Sequence, residues 1–219
     1  MQLPVDTFEA LQRLPGLRHA FLCRAPGLDV RMDRDAALAR LASIHAAARR
    51  DLGFPIHPFA TAKQVHGNHI AILRHPVTPG TQEAPAADGL MTNVPGLSLG
   101  IYVADCCAIY LVDPVRRAIA LLHSGRQGTQ LAIATRAVQA MAREYGSSPA
   151  HLVAQLSPCI RPPHYEVDFA AEIFRQLKSA GVPQVTDSGA NTAADLHRYY
   201  SYRIEKGRTG RLLALLMLQ

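Results

Sequence analysis

The sequence has no run of apolar residues long enough to cross a membrane. Apolar residues make up 48% of its 219 residues, yet each run is interrupted well before the roughly 18 residues that a membrane-spanning helix requires. The first residues also lack a basic segment followed by an apolar one, and they include Asp6 and Glu9, so no signal peptide is expected. These absences predict a cytoplasmic protein without a membrane partner.

Cysteine is scarce, and the short signatures of common metal sites are missing. The four cysteines, in a chain without an export signal, favour reduced thiols over a disulfide framework. There is no Cys-x-x-Cys, His-Glu-x-x-His or His-x-His sequence. A multicopper oxidase needs many imidazoles to hold several copper ions, and ten scattered histidines do not supply that pattern. Laccase chemistry is therefore disfavoured.

The chain also lacks a linker rich in Pro, Gly or Ser, and it contains no repeats, so we expect a single domain over residues 1–219. The net charge is +6, but the basic residues of the N-terminal part are interleaved with acids, and no nucleic-acid partner is expected. The exception is the segment 198–211, where five basic residues accompany only Glu205. This segment either binds a small anionic substrate or forms a solvated basic face.

Hydrophobic periodicity predicts an α+β fold, with mixed β-sheets flanked by helices. Apolar residues recur at helical spacing over 33–52, 129–145, 168–179 and 192–200. Short apolar runs predict strands over 69–73, 97–102, 108–112, 118–122, 151–156, 182–185 and 212–218. Helices and strands do not alternate regularly, which argues against a doubly wound parallel sheet.

The candidate functional site consists of three distant residues, His66, Cys106 and His123, each placed where a strand-like run gives way to a turn. Two imidazoles and a thiolate suit Zn²⁺, and three protein ligands leave one tetrahedral position open, as in catalytic zinc sites. Neighbouring side chains of an extended chain point to opposite faces, so Cys106 and Cys107 do not both serve one metal. A lone histidine in such a segment is more often structural, and the hypothesis therefore depends on all three acting together.

Residues 124–128 form a Gly-containing loop ahead of the predicted helix over 129–145. Free N–H groups and the positive end of a helix dipole favour an anion at such a place. The loop lacks the Gly-x-x-x-x-Gly-Lys pattern, so nucleoside triphosphate binding is unsupported. An anion site and a plain strand-to-helix turn are both open.

Several short motifs occur in a fixed order from Phe21 to the C-terminus, and together they resemble the YfiH-type purine nucleoside phosphorylase family. This family is also catalogued as laccase-domain or polyphenol oxidase-like, and it includes relatives of peptidoglycan editing factors. The motifs are Gln-Val-His-Gly at 64–67, Ala-Asp-Gly-Leu-Met-Thr at 87–92, Ala-Asp-Cys at 104–106, His-Ser-Gly at 123–125, Tyr-Glu-Val at 165–167, Tyr-Ser-Tyr-Arg at 200–203 and Thr-Gly-Arg at 209–211.

The resemblance implies a cytoplasmic enzyme whose zinc, or less expectedly copper, is held by His66, Cys106 and His123. It implies phosphorolysis of adenosine, inosine and methylthioadenosine by inorganic phosphate, with adenosine deamination as a further activity. The family is thus linked to transferase, hydrolase and, by its laccase name, oxidoreductase chemistry. Bacterial relatives are connected with the removal of wrongly charged peptidoglycan precursors, which gives a second possible substrate class.

The chain also departs from the pattern of this family. A Gly-Gly-Val-Ser stretch expected after Phe21 and Arg24 is absent. Arg126 stands where the family usually has Trp, Pro163-His164 replaces a Cys-Cys pair, and Ser188 replaces a cysteine. These changes leave the three proposed ligands intact, and we expect them to alter the wall of the substrate pocket.

Within this family framework we expect Cys106, Asp105 and His66 to be the catalytic residues. Asp105 would serve as a general base or as the partner of a ligand histidine. Gln64 would orient the substrate. Each role has a structural rival, because Asp105 also suits a simple turn cap.

Two arginines of the basic C-terminal segment are candidates for holding phosphate. Arg203 or Arg211 would clamp the anion through a bidentate guanidinium. The rival interpretation is that both arginines are merely solvated.

Two other functions remain open from the sequence. One is a metal-free cysteine hydrolase with Cys106 as nucleophile and His123 or His66 as base. The other is a zinc-binding module without enzymatic activity. The oligomeric state is not predicted.

Overall fold

The computed structural model describes residues 3–75 and 81–219, which form two six-stranded sheets. The first sheet contains β1 (Val5–Asp6), β2 (Leu17–Leu22), β3 (Phe59–Ala62), β5 (Thr81–Ala84), β7 (Ser98–Val103) and β12 (Leu212–Leu218), in the order β1-β2-β12-β7-β3-β5. The second contains β4 (Ile70–Leu73), β6 (Gly89–Thr92), β8 (Cys107–Asp113), β9 (Ala118–Ser124), β10 (Val153–Leu156) and β11 (Gln184–Asp187), in the order β11-β10-β8-β9-β6-β4.

Both sheets combine parallel and antiparallel pairs. Their helices are α1 (Glu9–Gln12), α2 (Arg34–Asp51), α3 (Arg126–Gln130), α4 (Ile133–Tyr145) and α5 (Phe169–Ser179), with a 3₁₀ turn at Pro149–His151. The two sheets face one another, and the Tyr110 hydroxyl on β8 donates to the Ala20 carbonyl on β2 at 2.8 Å. The expected α+β class, with mixed sheets flanked by helices, is confirmed. In the described part of the chain, no helix has both the length and the apolarity to span a membrane.

Alternation along β8 and β9 decides which side chains fill which core. Tyr110 and Leu121 point between the two sheets, whereas Ile109 and Leu122 pack under the apolar faces of α4 and α5. Such period-two alternation is expected of a strand buried on both faces. The outer face of the first sheet is covered by α2, where His45 stacks on Tyr102 of β7.

The predicted helix over 192–200 is wrong, since this segment forms successive turns. The Asp195 carboxylate accepts hydrogen bonds from the backbone N–H groups of His197 and Arg198. Side chains at both ends are tied elsewhere: Thr192 donates to Asp105, and Arg198 pairs with Asp6. Local side-chain hydrogen bonds of this kind compete with helix formation.

The predicted helix over 129–145 is two helices. Its first turns begin earlier, at Arg126, and Ala132 adopts a left-handed φ of 54° that separates α3 from α4. The loop expected over 124–128 is therefore largely helical, with Ser124 at the end of β9. The predicted strand over 182–185 lies two residues later, at Gln184–Asp187.

Most of the other predicted elements are present within a residue or two of their expected ends, and the strand predicted from 151 begins at Val153. Strands β1, β2, β3, β5 and β6 were not predicted. Several are only two to four residues long, and β2 carries Arg18 and His19 within it. Such strands exist because neighbours supply their hydrogen bonds, and that contribution leaves little trace in local sequence.

Candidate metal centre

The structure brings His66, Cys106 and His123 together. One donor atom from each lies within 4.8 Å of the other two, and the two imidazole rings are 4.9 Å apart between centroids at an angle of 78°. His66 is exposed, Cys106 partly buried and His123 buried. The group therefore forms one wall of a pocket that is open to solvent.

Asp88 holds His66 in place through the backbone. Its fully buried carboxylate accepts hydrogen bonds from the N–H groups of Val65, His66 and Gly67, at 3.2, 2.9 and 2.7 Å. His66 has a φ of 61°, a left-handed conformation that non-glycine residues rarely adopt. Three donors on one carboxylate stabilise this strained turn, so the position of His66 is fixed by its surroundings.

The same carboxylate orients His123, near the end of β9. Asp88 Oδ1 lies 2.8 Å from His123 Nδ1, which leaves Nε2 for the pocket. Burial lowers the pKa of His123, but the negative charges of Cys106 and Asp88 and their hydrogen bonds outweigh it and raise the pKa to about 9. For the acid Asp88 burial acts in the opposite direction and raises the pKa, but the hydrogen bonds from His123 and Gly67 outweigh burial and bring the pKa below its usual value.

Cys106 occupies the turn between β7 and β8, against Gly125. A Cβ atom added to Gly125 would lie 2.6 Å from the Cys106 sulfur, so only glycine permits this approach. Burial raises the pKa of the Cys106 thiol, but the charge of His123 and hydrogen bonds from His123 and His66 lower it to about 6. The next residue, Cys107, is buried in the core on the other face of β8, as the alternation predicts.

The donor set fits a single divalent metal ion. In a tetrahedral zinc site, nitrogen and sulfur ligands lie about 3 to 4 Å from one another, so small side-chain adjustments suffice here. The carboxylate behind His123 also matches the usual environment of a metal-bound imidazole. Within residues 3–75 and 81–219, this is the one such cluster of His, Cys, Asp and Glu side chains. A single three-donor group does not resemble the several centres of a multicopper enzyme.

Asp105 precedes Cys106 in the chain, and its carboxylate is hydrogen-bonded to the segment 192–203. Its φ is 78°, and its buried carboxylate accepts hydrogen bonds from the Thr192 hydroxyl (2.7 Å), the Ser201 hydroxyl (3.0 Å) and the Arg203 N–H (2.7 Å). The expectation that Asp105 supports a ligand histidine is wrong, because Asp88 has that place. Asp105 instead anchors the segment 192–203, and its role as a general base stays a prediction.

Gln64 lines the pocket, and its amide is engaged with the backbone of β7. Nε2 donates to the Tyr102 carbonyl at 2.7 Å, and Oε1 accepts from the Tyr102 N–H at 3.3 Å. These bonds fix the start of the loop that carries His66. Substrate orientation by Gln64 stays a prediction.

The pocket has a volume of about 1000 Å³ and a positively charged lining. Five cations line it: Arg34, Arg126, Arg203, Lys206 and Arg211. Among the described residues that line the pocket, only Asp105 carries a carboxylate, and both of its oxygens accept hydrogen bonds within the protein. A small anionic ligand suits this charge distribution.

The departures from the family pattern do not all fall on the pocket wall. Arg126 lines the pocket, as expected. His164 lies against Asn191, with 3.1 Å between Nδ1 and Nδ2, and Ser188 borders a separate cavity of about 520 Å³. We expected the changes at Arg126, His164 and Ser188 to alter the wall of the substrate pocket. Of these three residues, only Arg126 lines the pocket.

Comparison with known families decides what kind of protein carries this site. A family model described as "Multi-copper polyphenol oxidoreductase laccase" matches residues 27–173 and 167–219. The chain belongs to this laccase-like, YfiH-type family.

Named relatives in the family share one activity in their names. A Deinococcus radiodurans protein named purine nucleoside phosphorylase is 34% identical, over 95% of this chain and 92% of the relative. A Streptomyces coelicolor protein with the same name is 30% identical, over 78% of this chain and 79% of the relative.

Solved structures agree on the fold. The structure of the hypothetical protein YfiH from Bacillus licheniformis has a TM-score of 0.77, with 23% identity over 95% of each chain. YlmD from Geobacillus stearothermophilus has a TM-score of 0.76, with 24% identity over 94% of this chain and 93% of that one.

The structure also adds site residues that the sequence reasoning missed. The sequence predicts no role for Asp88, which belongs to the motif at 87–92, yet its carboxylate positions His66 and His123. Its place in Ala-Asp-Gly, at the start of β6, was the available signal. Arg34 was missed because it stands at the beginning of an ordinary amphipathic helix, and nothing in the local sequence places it at the pocket.

Proposed function

We propose that this protein is a metal-dependent purine nucleoside phosphorylase that acts on adenosine, inosine and methylthioadenosine. The observation that carries the proposal is the convergence of His66, Cys106 and His123 at the wall of a cationic pocket. The names of the relatives supply the nucleoside substrate class. We propose zinc as the metal, because a thiolate with two imidazoles suits it.

In phosphorolysis, an oxygen of inorganic phosphate forms a bond to the ribose anomeric carbon. The bond from this carbon to purine N9 breaks, and its electron pair moves to the purine. The purine takes up a proton and the attacking phosphate gives one up, so that no proton is gained or lost overall. Both partners must be held in line, and the phosphate charge must be stabilised. The cationic lining of the pocket provides that stabilisation.

The named residues divide these tasks. His66, Cys106 and His123 would hold the metal, which when bound supplies a Lewis acid at the pocket wall. Asp88 keeps both imidazoles oriented. Asp105 positions the segment that carries Arg203, and its carboxylate, at the pocket edge, is the proposed proton acceptor.

Product analysis tests the proposal directly. Protein of measured zinc content is incubated with adenosine or inosine and phosphate, and the products are separated chromatographically. We expect free base and ribose 1-phosphate from the parent and a loss of at least about a hundredfold in Cys106→Ser, as for removal of a group essential to the site. Inosine and ammonia from adenosine would reveal deamination, in which water displaces ammonia at purine C6. Full phosphorolysis by Cys106→Ser would contradict the assignment.

A metal-free cysteine hydrolase is the second candidate, and one arrangement favours it. Cys106, His123 and Asp88 lie in the order nucleophile, base and orienting carboxylate. Its substrate would be a peptidoglycan precursor, so a muramoyl peptide is assayed in parallel. Hydrolysis that survives a chelator but not alkylation of Cys106 would support this candidate. Stoichiometric zinc without turnover of either substrate would indicate a binding module.

A further inference from the structure

Arg211 is a buried cation without an acidic partner in the described part of the chain. It is 9% exposed, and its Nη1 donates to the carbonyls of Thr209 and Gly210, both at 2.9 Å. Neither partner carries a charge. Burying a cation without a counter-charge is unfavourable, and an anion from solution would remove this penalty.

Arg34 brings a second positive charge to the same pocket. It is the first residue of α2, where a cation opposes the positive end of the dipole of an 18-residue helix. Its acidic neighbour Asp35 has an 89% exposed side chain, at 3.2 Å, so this pair is weak. Burial lowers the pKa of Arg211, and the positive charge of Arg34 lowers it further. Each arginine is thus a cation in an unfavourable position, and the two repel one another.

Three other arginines near the pocket lie beside glutamate side chains. Glu166 lies 3.4 Å from Arg203 and 3.7 Å from Arg126. Arg24 pairs with Glu205 at 2.7 Å. Arg126, Arg203 and Lys206 are exposed to solvent, which screens their charge. Arg34 and Arg211 are therefore the two least solvated cations of the pocket lining.

We propose that Arg34 and Arg211 form the subsite for inorganic phosphate, a tetrahedral dianion, in the pocket that contains Cys106. The assignment of phosphate as co-substrate rests on the proposed function. The anion site itself rests on the two guanidinium groups alone. With Nη1 of Arg211 engaged by carbonyls, its Nε and Nη2 groups are the pair that would match two oxygens of a tetrahedral anion, and Arg34 would supply a second guanidinium. Arg203 is not part of this subsite, because its side chain is exposed to solvent and lies beside Glu166.

Titration calorimetry with inorganic phosphate and with sulfate, at constant ionic strength, tests the subsite. Parent protein is measured in zinc-loaded and chelated forms, which separates binding by the metal from binding by the arginines. We expect Arg34→Gln to weaken phosphate binding by about tenfold to a hundredfold in both forms, the usual effect of losing charge-assisted hydrogen bonds. Arg211→Lys, which keeps the charge of a buried residue but loses the fork, should also weaken binding.

The matched control is Arg50→Gln, which removes the same charge from the exposed far end of α2. It should bind phosphate as the parent does. In kinetic assays, Arg34→Gln should raise KM for phosphate and leave KM for the nucleoside within about twofold, a split that a general structural defect would not produce.

The outcomes separate this inference from the proposed function. Unchanged phosphate affinity in Arg34→Gln, or no measurable binding by the parent at millimolar phosphate, would overturn the subsite. Phosphate binding that depends on Arg34, in a protein that cleaves no nucleoside, would retain the subsite and reject the phosphorylase. Phosphorolysis with an unchanged KM for phosphate in Arg34→Gln would retain the phosphorylase and reject the subsite.

Discussion

Asp88 shows how much of the candidate centre depends on one side chain that offers no ligand atom to it. Its carboxylate binds the backbone around His66 and the ring of His123, and its own carbonyl accepts the His123 N–H at 2.7 Å. A carboxylate has two oxygens that both accept, so it can satisfy several donors at once, whereas an asparagine amide in its place would turn an NH2 group towards some of them.

Gly125 is the residue at which a single methyl group should disturb the site. In Gly125→Ala the new Cβ would approach the Cys106 sulfur to 2.6 Å and displace it. We expect zinc affinity, measured by competition with a chromogenic chelator, to fall about tenfold or more, in the range found when the support of a ligand is lost.

The control for this substitution is Gly128→Ala in α3. Its added Cβ would meet its nearest neighbours at 3.4 Å, an ordinary contact distance, and alanine favours a helix. Zinc affinity should stay within about twofold of the parent. Equal losses in the two variants would argue against a steric effect on Cys106.

At the level of secondary structure, the connection between β7 and β8 supplies a central part of the pocket. The turn from β7 to β8 presents Cys106 to the centre and points the Asp105 carboxylate towards the segment 192–203. The Arg203 N–H bond to Asp105 holds the basic segment against the pocket. A left-handed residue at Asp105 makes these two directions compatible.

Asp105→Asn should therefore loosen the basic segment. The substitution replaces one carboxylate oxygen by an NH2 group, which cannot accept the hydrogen bonds that this oxygen accepts in the parent. The loss of charged hydrogen bonds should lower the free energy of unfolding by about 2 kcal/mol or more. We expect trypsin to cleave native Asp105→Asn after Arg203 or Lys206 at least about tenfold faster than the parent, as judged by mass spectrometry.

Asp113→Asn, at the other end of β8, is the matched control. Asp113 is equally buried, and its Oδ1 caps a turn through the N–H groups of Val115 and Arg116. Its amide can keep this acceptor, and it lies far along the strand from the basic segment. Rapid cleavage after Arg203 in this variant as well would show a global loss of stability.

For the molecule as a whole, two buried histidines should make the free energy of unfolding depend on pH. Burial lowers the pKa of His19 and of His45 to about 4 in each case, from a usual value of 6.5. His19 accepts the Phe8 N–H at 2.8 Å, whereas His45 has no hydrogen-bond partner among the described residues. Both rings are therefore held neutral in the folded protein.

The unfolded chain takes up these protons first, so stability falls as pH drops from 6.5 towards 4. Each histidine should account for about 2 kcal/mol of unfolding free energy between pH 7.5 and pH 5. The free energy of unfolding is measured by urea unfolding of the chelated protein at both pH values. In His45→Leu, its decrease from pH 7.5 to pH 5 should be about half of the decrease that the two histidines cause together in the parent. His151→Leu, at an exposed position, should retain the whole loss, and an equal pH dependence in all three proteins would contradict this origin.

Local sequence patterns were enough to predict the fold class, most of the larger elements and the three residues of the candidate centre. Periodicity identifies α2, α5 and β12 because each has one continuous apolar pattern, and ordered motifs single out His66, Cys106 and His123. These features are local, and short-range physical chemistry is enough to find them.

Tertiary structure alone decided which polar groups meet at the site. Asp88 and His123 are neighbours because β6 pairs with β9, and Arg34 reaches the pocket because α2 packs outside the first sheet. Hydrogen bonds and charge interactions depend on distances between strands that are remote in sequence. The role of Asp88, the hydrogen bonds of Asp105 and the presence of Arg34 and Arg211 in one pocket lining consequently emerge only when both sheets are in place.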